Sequence, residues 1–139
     1  EFMFSANAGE NSQPLRRIAS SGELSRLMLA LKTVLADADA IPVVVFDEID
    51  SNIGGETANR VGDELKNLGR HRQILCISHQ AQVAARADRH YCVVKHTEKG
   101  RTYSESVRLD ENGRELEIAR MLGGGESALI HARSILTAR

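Results

Sequence analysis

The chain is predicted to be an α/β domain: a mostly parallel sheet flanked by helices, with a C-terminal hairpin and two final helices. Three observations carry this. Pro42 opens an apolar run, Val43-Val44-Val45-Phe46, with no polar alternation, which suits a central parallel strand covered on both faces. A second run, Gln73-Ile74-Leu75-Cys76-Ile77, reads as another buried strand. Between them Ala58, Val61, Leu65 and Leu68 recur at helical spacing.

Both runs end in reactive side chains. The first stops at Asp47, Glu48 and Asp50, three carboxylates within four residues. Acids crowded at the carboxyl end of a buried strand repel one another and are costly to desolvate unless a cation or a reaction needs them. In open α/β sheets that end is also where ligands sit. The simplest occupant is Mg²⁺ carrying a nucleotide phosphate; the plainer alternative is that Asp47 and Asp50 only cap a turn or helix. The second run ends at Ser78-His79, where an imidazole at the same edge could touch a phosphate or serve as a structural histidine.

In chain order, residues 1–4 read as a short edge strand and 5–14 as a polar loop, the abrupt start suggesting a cut rather than a native terminus. Ser20-Ser21-Gly22-Glu23 opens a helix whose apolar positions are Leu24, Leu27, Met28, Leu31, Val34 and Leu35, ending before Pro42. Ser20 and Glu23 have capping-box spacing, yet Ser-Ser-Gly also leaves small side chains and free amides at a positive helix end that suits a phosphate. The spacing fits both. Residues 51–55 form a tight loop in which Asn52, Gly54 and Gly55 tolerate positive φ, and Gly69 stops the helix that follows. Arg70-His71-Arg72 reads as a solvated turn, and 80–87 as a short alanine-rich helix broken by Asp88. Residues 89–95 and 101–109 are strands joined by a hairpin at 97–100, and 110–113 is a turn. Two helices close the chain, one with Ile118, Ala119 and Leu122, the other with Leu129, Ala132, Ile135 and Leu136. Gly123-Gly124-Gly125 between them lacks the Lys-Ser/Thr of a phosphate loop and reads as a hinge or cap.

Composition narrows the function. The 139 residues are one domain's worth, 42% hydrophobic and 27% charged, with net charge −1. A basic nucleic-acid module is excluded on charge, and three Phe, two Tyr and no Trp argue against a base-stacking platform. Arg16, Arg17, Arg26, Arg86 and Arg89 are too scattered to define a DNA path. Cys76 and Cys92 read as buried reduced thiols; a zinc site with His79 and His90 can be drawn, but its spacings match no usual ligand pattern. With no signal peptide or membrane-spanning stretch, a cytoplasmic location is expected.

The three sites together resemble the C-terminal lobe of an ABC-type ATPase head. Ala19-Ser20-Ser21-Gly22-Glu23-Leu24-Ser25-Arg26 looks like the signature motif in its SMC-like form, 43–48 like the Walker B strand with its catalytic glutamate, 49–55 like the D-loop, and His79 like the switch histidine. The run Cys76-Ile77-Ser78-His79-Gln80-Ala81-Gln82-Val83-Ala84, residues 2–10 and residues 118–124 narrow the resemblance to the RecN family of bacterial DNA-repair proteins. Two positions depart from the pattern: Ser21 stands where the signature usually has its first glycine, and Asn52 where the D-loop usually has glycine.

The resemblance implies roles. Asp47 would hold Mg²⁺ through water, Glu48 would orient or deprotonate the attacking water, and His79 would contact the γ-phosphate. Ser20, Ser21, Gly22 and Glu23 form the signature that meets ATP held by a second subunit, with Ser20 and Gly22 on the γ-phosphate and Asp50 coupling the two sites. No G-x-x-x-x-G-K-[ST] and no long heptad run is present, so residues 1–139 are expected to be one lobe of a longer protein, the Walker A lobe lying elsewhere. The implied partners are that N-terminal lobe, a second head in an ATP-dependent homodimer, and DNA through the full-length protein; no membrane is implied. Two rivals stand beside this: a non-catalytic interaction module, and a metal-dependent nuclease or phosphatase using Asp47, Glu48 and Asp50 as ligands.

Overall fold

The computed structural model describes residues 3–5, 9, 11–36, 38, 40–98 and 100–137. Residues 1 and 2 of the expected edge strand, 6–8 and 10 of the expected loop, and Lys99 of the hairpin turn lie outside them. The chain opens with β1 (Met3–Phe4) paired antiparallel to β2 (Gln13–Pro14), so the end of the expected loop is a strand, and α1 (Leu15–Ile18) follows as one turn. Next come α2 (Ser21–Val34), β3 (Val43–Phe46), α3 (Gly55–Leu68) and β4 (Gln73–Cys76). α4 (Ala81–Ala84) is a single turn, shorter than the 80–87 expectation. The hairpin β5 (Tyr91–Glu98) and β6 (Arg101–Arg108) and the helices α5 (Glu111–Met121) and α6 (Glu126–Thr137) complete the order.

β3 and β4 pair in parallel, Val44 opposite Ile74 and Phe46 opposite Cys76, and the ladder continues as the Ile77 N–H donates to the Phe46 carbonyl at 2.9 Å. Among the described residues this pair is the whole of the parallel sheet; the other two sheets are antiparallel pairs. Its inner face packs through Val44, Phe46 and Ile74 on a cluster of Leu29, Ile49, Ala58, Val61, Leu65, Leu68 and Val83. A second cluster joins Ala81 and Ala85 to Ile118, Ala119, Ala128 and Ala132 of the last two helices. The three glycines after α5 all take positive φ, and Gly124 donates to the Ala119 carbonyl, so of the two expectations, hinge or cap, the geometry is that of a helix cap.

Four expectations need correction. β3 and β4 are covered on one face only: Val43, Val45 (60% exposed), Leu75 and Ile77 (62%) lie open, because α2 and α3 sit on the same side and none of the described residues covers the other. The apolar stripe expected to bury α2 is also open, from Leu24 through Val34 (82% exposed), while Leu29 on another face is buried. Burying a large apolar side chain is worth about 1.5–3 kcal/mol, so both faces are surfaces that favour a cover. Arg72 is not solvated; it is buried and donates to the Ala36 carbonyl at 2.6 Å, tying the end of α2 to the turn before β4. Cys76 is exposed and Cys92 half-buried, Cys76 standing at the open end of β4 beyond the part of the inner face that the core covers.

Candidate functional site

The parallel pairing brings the two reactive strand ends to one edge. Asp47 and Glu48 leave β3, and Ser78 and His79 follow β4, beside each other after the Phe46–Cys76 pair. The site is built from this edge and from the first two turns of α2.

α2 begins at a complete capping box. The Ser20 N–H and Oγ donate to the Glu23 carboxylate at 2.8 and 2.9 Å, and the Glu23 N–H donates to Ser20 Oγ at 3.3 Å. The backbone N–H of Ser20, then its hydroxyl, holds the Glu23 carboxyl below its usual range. From this start the helix grips the acidic loop. The Ser21 hydroxyl donates to the Glu48 carboxylate, the Ser25 hydroxyl to the Asp47 carbonyl at 2.9 Å, and Arg26 to the carbonyls of Ile49 and Ser51 at 3.1 Å each. Gly22 makes this approach possible, since a Cβ there would stand 2.0 Å from Ser51 Oγ and 3.0 Å from the Glu48 carbonyl oxygen. The loop itself runs through left-handed backbone at Glu48 (φ 56°) and Asn52 (φ 57°), whereas Gly54 is extended. Asparagine at 52 therefore occupies the conformation that a glycine there would.

The acids at this edge face three ways. Asp47 and Glu48 are exposed; Asp47 makes no side-chain hydrogen bond among the described residues, which leaves its carboxylate open to a hydrated cation. Asp50 is 0% exposed, and its Oδ2 accepts from Ser78 Oγ (2.6 Å), His79 N–H (2.9 Å) and Gln80 N–H (3.0 Å). Its Oδ1 makes no hydrogen bond and faces His79 Nδ1 at 3.3 Å. The His79 ring is otherwise open, its side chain 68% exposed, so Asp50 orients the imidazole while its other edge looks outward. Gln80 adds a second tie, donating to the Ile53 carbonyl at 3.0 Å.

The three carboxylates do not converge as a ligand set, and among the described residues no group of three or more His, Cys, Asp or Glu is placed to hold a metal. The drawn zinc site and the nuclease-type cluster thus lose their geometric basis. Two of the scattered arginines are also engaged internally: Arg26 on the acidic loop, and Arg86 with Asp63 at 2.6 Å. Sequence reading missed the parts played by Ser25, Arg26, Ser78 and Gln80, because each acts through a backbone carbonyl or a distant carboxylate rather than a motif.

Cys76 sits at the end of β4 within reach of this charge. Desolvation, then the charges of Asp50 and Asp47, pushes its thiol up to about 12. Although exposed, at pH 8 it is a thiolate in about one molecule in 10⁴. Iodoacetamide is expected to label Cys76 at least about a hundredfold more slowly than free cysteine at that pH. Peptide mass spectrometry over a time course checks this, and labelling at the free-cysteine rate would refute it.

No model of a known protein family matches the chain. Among solved structures it superposes on one from a study of ATP-driven dimerization and DNA-stimulated activation of SMC ATPases, with a TM-score of 0.55 and 22% identity over 86% of this chain and 70% of the other. It also superposes on the SMC head domain from Thermotoga maritima, with a TM-score of 0.50 and 30% identity over 73% of this chain and 37% of that one. The fold is that of an SMC ATPase head, in agreement with its C-terminal lobe. In sequence it is 48% identical over 141 residues to the DNA repair protein RecN of Treponema pallidum, covering 99% of this chain and 25% of that protein. It is 53% identical over 135 residues to RecN of Deinococcus radiodurans (96% and 24%), and 41% identical over 140 residues to RecN of Vibrio cholerae (99% and 25%). The chain is a homologue of RecN and spans about a quarter of the length of these relatives.

Proposed function

We propose that residues 1–139 are one lobe of the ATPase head of a longer, RecN-like protein of DNA double-strand-break repair, working in the cytoplasm. The observation that carries this is the shared edge: one parallel pair delivers Asp47-Glu48 and Ser78-His79 side by side, with the start of α2 hydrogen-bonded to the same loop. A nucleotide lying across that edge would meet an acid, a base and an imidazole together.

In this reading ATP would supply the electrophilic phosphorus and Mg²⁺ would neutralise the charge that develops on its oxygens. Asp47 would hold the cation through water. Glu48 would orient the attacking water and take its proton, and the open edge of His79, aimed by Asp50, would face the γ-phosphate. Ser20, Ser21, Gly22 and Glu23 would present the signature to ATP held by a second copy of the head. Positioning accounts for most of the rate in such chemistry. The open faces of β3–β4 and α2 support the proposal that the Walker A lobe of the same protein docks here, since a one-sided parallel pair is a poor end state for a sheet. DNA would be engaged through the full-length protein and coupled to closure of two heads.

The chain by itself is expected to show no measurable ATP hydrolysis, because nothing in it cradles the α- and β-phosphates. Adding the N-terminal Walker A lobe is expected to restore Mg²⁺-dependent phosphate release. Robust turnover by the 139-residue chain alone would overturn the one-lobe reading. A complete protein that dimerises but never hydrolyses ATP would favour the non-catalytic interaction module instead.

A further inference from the structure

We infer that Ser21 is a latch on Glu48: its hydroxyl holds the proposed catalytic carboxylate of its own chain until the phosphate of a nucleotide carried by a second copy takes that hydroxyl away. The inference rests on the ATPase reading above. Its starting point is a single contact, the Ser21 hydroxyl donating to the Glu48 carboxylate across 27 positions of sequence. Among the described residues this is the one hydrogen bond the Glu48 side chain makes.

A serine hydroxyl has one proton to give, so it serves one acceptor at a time. With that proton on Glu48, the carboxylate is drawn toward the start of α2, and a water lined up for attack must compete for the same oxygen. The neighbouring donor is already committed, because the Ser20 hydroxyl donates to Glu23 within the capping box. Ser21 is the side chain at this helix start whose hydroxyl, by exchanging an internal carboxylate for an incoming phosphate of the same charge type, would release Glu48. The exchange would arm each head only when it senses the nucleotide of the other. It also gives a physical meaning to serine at a position where the resembled signature has glycine, a residue with no hydroxyl to form such a latch.

Ser25, Arg26 and Gly22 keep the loop in place without Ser21. Removing the hydroxyl should therefore free Glu48 rather than dismantle the site. The test is steady-state ATP hydrolysis by the full-length protein across a range of protein concentrations. At concentrations where heads are mostly apart, Ser21→Gly is expected to raise turnover per head about tenfold, the scale of one hydrogen bond to a charged group. The gain should fall in kcat rather than in KM for ATP, and should shrink as protein concentration rises. Ser21→Ala, which keeps helix propensity, should show the same gain as Ser21→Gly, and Ser21→Thr, which keeps the hydroxyl, should show no such gain. Adding Glu48→Gln to Ser21→Gly should abolish the gain. Turnover at or below the wild-type level in both Ser21→Gly and Ser21→Ala, or a gain that survives Glu48→Gln, would overturn the latch. A wild-type protein that hydrolyses no ATP at any concentration would overturn the ATPase reading itself, and the latch with it.

Discussion

Glu48→Gln in the full-length protein is expected to lower ATP turnover by a factor of about 10²–10⁴, the range that a positioned general base contributes. ATP-bound dimers should accumulate at the same time, because closure needs the cation and phosphate contacts but not the base. The structure makes this substitution a clean probe. The Glu48 side chain is exposed and bonded to Ser21, and a glutamine oxygen can accept that same hydrogen bond, so the loop has no reason to move. What the amide lacks is the ability to take a proton from water. Phosphate release and light scattering on the same samples give both readouts. Turnover near the wild-type rate would remove Glu48 from the chemistry.

The second large effect is structural. Asp50→Ala is expected to destabilise the fold by about 3 kcal/mol or more, lowering the melting temperature by roughly 10 °C. The carboxylate is fully buried and receives the Ser78 hydroxyl and the backbone N–H groups of His79 and Gln80. Alanine would leave the His79 N–H without its acceptor and reduce Ser78 and Gln80 to their longer bonds with each other, at 3.2 and 3.3 Å. Asp50→Asn should lose much less, since an amide oxygen can still accept from the same loop. Thermal unfolding followed by circular dichroism separates the two. An Asp50→Ala protein as stable as wild type would mean that the 78–80 loop is held by something else.

These two residues show how differently neighbouring carboxylates behave. Asp47, Glu48 and Asp50 look alike in the sequence as a cluster ending an apolar run. In the fold one is open, one is tied to the start of α2, and one is sealed under the histidine loop. Spacing could not have separated them, because the loop turns through left-handed backbone at Glu48 and redirects the side chains that follow. Arg26 teaches the same lesson from the other side: in the sequence it is one of several basic residues too scattered to define a path, yet its guanidinium ties down two carbonyls of the acidic loop.

Local patterns alone determined the elements that depend on local physics. The capping box at Ser20, the helix face of Ala58, Val61, Leu65 and Leu68, the hairpin, and the glycine cap after α5 follow from neighbouring residues and are found where those residues require. Each apolar run also ends, locally, where its chemistry begins, but the parallel pairing that gathers Asp47, Glu48 and His79 at one edge joins strands 30 positions apart and is tertiary. Tertiary structure decided which apolar faces are covered and which hydroxyl meets which acid. An apolar stripe states that a side chain favours burial, not that a partner surface exists; Val45, Ile77 and the outer face of α2 are open because no other described residues cover them. Likewise, Ser21 and Glu48 are joined by the packing of a helix against a loop 27 residues away, a distance that no local pattern spans.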